Sequence, residues 1–139
     1  RALVGLLGDD DFTFKVTPDG SSYYTSFVID KDTGQVSFKQ LTGHERGYTT
    51  VVSNAITVTS SFMNLTGAAP VTLSTINGGF DGAEVTIQHT CGGTLTISNS
   101  GNIKTIGATS MTLDNWNDTA TFICNGTGTW LCKAFANNG

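Results

Sequence analysis

Residues 83–97 read Ala83-Glu84-Val85-Thr86-Ile87-Gln88-His89-Thr90-Cys91-Gly92-Gly93-Thr94-Leu95-Thr96-Ile97. Val85 and Ile87, then Leu95 and Ile97, are apolar side chains two residues apart, and Gly92-Gly93 breaks the run between them. A period of two marks a strand with one buried face, and the glycines supply a turn. Working outward, the pattern recurs at Val71/Leu73, Met111/Leu113, Phe122/Cys124 and Trp130/Cys132. Val51-Val52 and Ala55-Ile56-Thr57-Val58 precede these pairs, and Ile103 and Ile106 fall among them. Asn77-Gly78-Gly79, Asn99-Ser100-Gly101-Asn102, Gly107 and Asn125-Gly126 punctuate the series. No window repeats apolar residues at i, i+3, i+4 and i+7, so no long helix is expected. Short strands at this spacing predict a sandwich, a barrel or a β-helical stack. The pairs are unevenly spaced, so no regular repeat is read.

Upstream, Phe12, Phe14 and Val16 alternate with Thr13 and Lys15. Pro18-Asp19-Gly20 is a turn in which Pro presets φ and Gly takes the positive φ. Tyr24 to Ile29 follows as a strand, then the turn Asp30-Lys31-Asp32-Thr33-Gly34, then Gln35 to Phe38. This is a β-meander with a small expected core of Phe12, Phe14, Val16, Phe27, Ile29, Val36 and Phe38, which needs a partner surface to be stable. Residues 1–48 carry 12 of the 18 charged side chains. That shift, with Thr42-Gly43-His44-Glu45-Arg46-Gly47, places a module boundary near 42–48. The expected modules are 1–44, a small β unit, and 45–139, a compact β-sandwich or β-prism-like domain. The fold class is all-β.

Charged residues are 13% of the 139, about half the usual share. Thr, Ser, Asn and 17 Gly replace them, a composition suited to short strands and tight turns. The net charge is −4 and seven scattered bases form no patch, which argues against nucleic acid and anionic membranes as partners. No apolar run approaches the ~20 residues that span a bilayer, so no membrane insertion is expected. The chain starts at Arg1 without an initiator Met and is read as part of a longer polypeptide. Cys91, Cys124 and Cys132 are an odd number; Cys124 and Cys132 are placed to pair across a hairpin, but the favoured reading is three reduced, packed thiols.

The run Gly8-Asp9-Asp10-Asp11-Phe12-Thr13-Phe14-Lys15-Val16, then Pro18-Asp19-Gly20-Ser21, then Ile29-Asp30-Lys31-Asp32-Thr33-Gly34-Gln35-Val36-Ser37-Phe38, resembles a segment of phage tail-fibre-like proteins, including those of prophages and gene transfer agents. Thr17 and Pro18 depart slightly from it, and the match covers about residues 3–38. Asp118-Thr119-Ala120-Thr121-Phe122-Ile123-Cys124-Asn125-Gly126-Thr127, ending at Trp130, is similar to the closing β-domains of phage and viral fibres, more weakly. The resemblance implies a homotrimeric fibre tip or spike domain in a virion, attached to other tail or baseplate proteins and contacting a glycan or protein on a host surface.

No enzyme signature is present. There is no G-x-S-x-G, G-x-G-x-x-G or P-loop, and His44-Glu45 lacks the second His of a zinc helix because residue 48 is Tyr48. Asp9-Asp10-Asp11 invites a calcium or glycosidase reading, but neighbours along a strand point to opposite faces and a solvated turn explains the run. His89 and Cys91 share a strand face, a thin basis for a metal. No cofactor or metal is expected. Asn64, Asn117 and Asn125 each begin an incidental N-x-[ST] sequon. Trp116, in Asp114-Asn115-Trp116-Asn117-Asp118, is the leading receptor-contact candidate, because aromatic rings stack on sugar C–H faces while amides bond the hydroxyls. Asn115, Asn117, Tyr48 and Trp130 complete the expected receptor-binding set, with Trp130 also suited to the core. Polysaccharide cleavage and a purely structural trimerisation role are the rival readings.

Overall fold

The computed structural model describes residues 2–7 (backbone only), 11–39, 43–67, 70–90 and 92–139. Asp9, Asp10, Thr42 and Cys91 lie outside the described residues. The chain forms two compact units, Arg1–Gly43 and His44–Gly139.

In the first unit β1 (Ala2–Leu7), β2 (Asp11–Val16), β3 (Tyr24–Ile29) and β4 (Val36–Phe38) pair in sequence order as an antiparallel meander. The two later turns are built around aspartates. Asp19 Oδ1 accepts the N–H groups of Ser21 and Ser22 and the hydroxyl of Thr17, and Gly20 takes φ 85°. These donors, led by the Ser21 N–H, hold the Asp19 carboxyl far below the usual range. Asp30 Oδ1 accepts the Thr33 hydroxyl and the N–H groups of Thr33 and Asp32. Phe27 stacks on Phe14 with ring centroids 5.4 Å apart and touches Phe12 and Phe38. The expected small core is therefore a face, not an interior: Phe38 is 62% exposed, and Val36 and Val16 are exposed as well.

Every buried hydrophobic side chain among the described residues belongs to the second unit. There the chain winds as a short three-faced solenoid, the β-helical member of the three stacks the sequence allows and a prism rather than a two-layer sandwich. Its first face holds β5 (Arg46–Thr50), β7 (Phe62–Thr66) and β10 (Glu84–His89), all parallel. A second face pairs β6 (Ala55–Thr57) with β9 (Thr75–Asn77), and the third pairs β8 (Val71–Leu73) with β11 (Leu95–Ile97), again parallel. Successive coils are offset by sixteen residues from Arg46 to Phe62, twenty from Ala55 to Thr75 and twenty-four from Phe62 to Thr86. This explains the uneven spacing of the apolar pairs. After β12 (Ile103–Lys104) and a 3-10 turn at Ile106–Ala108 the chain reverses. β13 (Met111–Leu113) then closes β11, and β14 (Thr119–Cys124) closes β10, both antiparallel. β15 (Trp130–Ala136) returns along β14 and also pairs with β12.

Parallel coils stack like upon like. Leu73, Ile97 and Met111 form one interior rung, Met63, Ile87 and Ala120 another, and Ile103, Trp130 and Cys124 a third. Asn102 substitutes for a strand at one step: its amide accepts the Ile76 N–H at 2.9 Å and donates to the carbonyls of Ile76 at 2.7 Å and Gly128 at 3.0 Å. Cys124 and Cys132 are free thiols. They are not opposite one another, since Phe122 faces Cys132 and Cys124 faces Trp130.

Candidate functional site

The turn Asp114–Asp118 leads from β13 into β14 and is organised by a buried carboxylate. Asp118 has no solvent exposure. Its Oδ2 accepts the N–H groups of Asp114 and Asn115, each at 3.0 Å, and its Oδ1 accepts the N–H of Asn138 at 2.7 Å. Desolvation pushes this carboxyl up, but the three backbone donors, Asn138 foremost, and nearby His89 outweigh it and hold it below its ordinary range. The Gln88 amide donates to the Trp116 carbonyl and the Asn138 amide to the Asn117 carbonyl. Trp116 is thus held by its backbone while its indole is 69% exposed. Asn115 Oδ1 accepts the Asn117 N–H, so one of the two candidate amides serves the turn itself.

The other candidates lie elsewhere. Tyr48 projects from β5, 68% exposed, with Tyr48, Asn64 and Gln88 in one transverse row across the first face. Trp130 pairs with Cys124 at the far end of β14 from the Trp116 turn, about 17 Å along the strand at ~3.4 Å per residue. It is 1% exposed, so it belongs to the core.

Trp130 also walls a cleft of about 650 Å³. Two successive solenoid corners flank it, Val58–Ser61 between β6 and β7, and the segment Gly79–Val85 leading from β9 into β10. Gly79, at φ +88°, lies flat on the Trp130 ring, because a Cβ there would meet the ring's Cζ2. The Trp130 indole N–H is buried and has no hydrogen-bond partner among the described residues, a cost of about 1–3 kcal/mol. Phe80, 76% exposed, stands in the lining, and Ser60 and Ser61 contribute hydroxyls, the latter held by His44 at 2.7 Å. Among the described residues Glu84 is the only acid in the lining, and it is paired with Lys133. Lys133 reaches it from the bulge between Cys132 and Ala134.

Solved structures of similar fold exist. A chain in a solved structure described as "Structure of a chaperone-substrate complex" superposes with a TM-score of 0.51 at 13% identity, over 94% of this chain and 21% of that one. This chain therefore spans about a fifth of the length of that solved chain, and the likeness is one of fold alone. No family model and no curated protein matches the sequence.

The sequence singles out Trp116, Tyr48 and Trp130 but not the cleft-lining residues Phe80, Ser60, Ser61 and Glu84. The available signal was an aromatic between glycines, Gly79-Phe80-Asp81-Gly82, which places a large ring on a turn. His89, once paired with Cys91 as a thin metal reading, is 1% exposed and bonds the Gly93 carbonyl through Nε2. Among the described residues no group of three metal-ligating side chains converges.

Proposed function

We propose that this chain is the distal domain of a phage-type tail fibre or spike that attaches to polysaccharide on a bacterial surface without cleaving it. The observation that carries this reading is Trp116, a 69% exposed indole on a turn fixed by a buried carboxylate. A rigid exposed aromatic offers a sugar-stacking surface at little entropic cost, since nothing has to be ordered on binding. The resemblance of residues 3–38 to fibre segments supplies the virion context, the homotrimer and the tail or baseplate partners. The uncovered aromatic face around Phe27 and Phe38 supports a trimer, because a small sheet gains stability when a further copy covers its apolar side. Three weak sites per fibre, multiplied over several fibres, give avidity without a deep pocket.

Against cleavage, Glu84 has no second carboxylate beside it among the described residues that line the cleft, whereas glycoside hydrolysis needs two acids about 5–9.5 Å apart. The proposal is tested by adsorption of the labelled chain to a panel of bacterial cells before and after periodate oxidation of their surface sugars. Saturable adsorption that periodate abolishes is expected, together with a light-scattering mass of three times 14.6 kDa. Adsorption that periodate leaves intact, or reducing ends released from the polysaccharide, would overturn it.

A further inference from the structure

We infer that the cleft walled by Trp130 and Phe80 is a second saccharide subsite, distinct from the Trp116 turn, and that it takes a neutral hexose unit rather than an acidic one. The inference rests on the attachment reading above and names a site and ligand chemistry for it.

Three features of the cleft converge. Phe80 is 76% exposed in the lining, an apolar ring available to the C–H face of a pyranose. The Trp130 indole lines the same cleft as a second aromatic wall, while its N–H is closed even to water and is not itself a ligand contact. Ser60, Ser61 and the Glu84 carboxylate add hydrogen-bonding groups along the rim. A concave apolar surface with a few placed polar groups is the ordinary form of a small-ligand site. Sugar hydroxyls can donate to Glu84 and exchange hydrogen bonds with the serine hydroxyls.

Charge selects the class. Among the described residues Glu84 is the only charged side chain in the lining, and Lys133 reaches it from outside. The chain as a whole carries −4. A uronate would find no unpaired cation in that lining for its carboxylate, and it would approach a protein of net negative charge. A neutral hexose meets no such barrier.

The test uses the two indole resonances of the ¹⁵N-labelled full chain, assigned with Trp116→Phe, during titration with neutral hexaoses (gluco-, manno- and galacto-configured) and with hexagalacturonate. At least one neutral hexaose is expected to shift the Trp130 resonance, because the sugar packs in the cleft that the indole lines. Phe80→Ala, which removes only an exposed ring and leaves the core packed, is expected to weaken that response about tenfold. If saccharides move only the Trp116 resonance, the cleft site is wrong and the attachment reading stands. If hexagalacturonate alone moves Trp130, the neutral class is wrong. If no saccharide moves either indole and no cell polysaccharide retains the chain, both fall.

Discussion

Asp118 and Asn138 are joined across twenty residues by a 2.7 Å hydrogen bond from the Asn138 backbone N–H to a carboxylate with no solvent exposure. The same carboxylate caps Asp114 and Asn115, so one side chain ties the C-terminal segment to the turn that carries Trp116. Asp118→Ala removes three charge-assisted acceptor contacts and is expected to destabilise the second unit by about 3 kcal/mol, read from the urea midpoint. It should also weaken polysaccharide retention, because the indole loses its fixed mount.

The pH response follows from the same residue. Its folded-state pKa lies below the unfolded value of about 3.9, so the unfolded chain binds the proton more readily. The stabilisation is fully present above about pH 4–5 and is lost as pH falls through the lower, folded value. Denaturation midpoints from pH 7 to pH 2 should decline below pH 4, and Asp118→Asn should flatten part of that decline. A midpoint independent of pH in the native chain would contradict the assignment.

Gly79→Ala places a Cβ against Trp130 at a backbone φ of +88°. Both the left-handed conformation and the contact oppose it, and the ring is locked between Cys124 and Ile103 on its strand neighbours. A loss of about 2–4 kcal/mol is expected, with a changed fluorescence spectrum of the buried indole.

Asn102→Asp tests the side-chain rung of the solenoid. A carboxylate still accepts the Ile76 N–H but cannot donate to the Ile76 and Gly128 carbonyls, and it brings a charge beside them. The expected cost is about 2–4 kcal/mol, with faster hydrogen exchange at Ile76.

Cys124 and Cys132 should remain thiols. Cys132 is half-buried, and burial pushes its thiol above the ordinary value despite hydrogen bonds that favour the thiolate. Iodoacetamide at pH 7.5 should modify Cys132 slowly and Cys124 only on unfolding, and mass spectrometry should find no link between them.

Much of the fold is legible in alternation. Asp11–Val16, Val71–Leu73, Leu95–Ile97 and Met111–Leu113 are strands where apolar side chains recur at every second residue. β5 is not legible, because its inward positions are Gly47 and Thr49. Met63 Sδ fills the space a Gly47 side chain would need, so the apolar signal lies one coil away. β9 escapes because Ile76 alone points inward. The solenoid itself is hidden, since coils of sixteen, twenty and twenty-four residues leave no single period to detect. Trp116 could be picked out because its mount is local, a turn of Asn and Asp around one ring. The Trp130 cleft could not, because its walls come from three separate parts of the chain that only the winding brings together.

The central claim is attachment to polysaccharide through the Trp116 turn, and titration calorimetry of the chain against a bacterial surface polysaccharide that retains it tests this most directly. Saturable binding that Trp116→Ala weakens about tenfold or more, with the denaturation midpoint unchanged, is the expected result. Equal affinity in the native chain and in Trp116→Ala would contradict it.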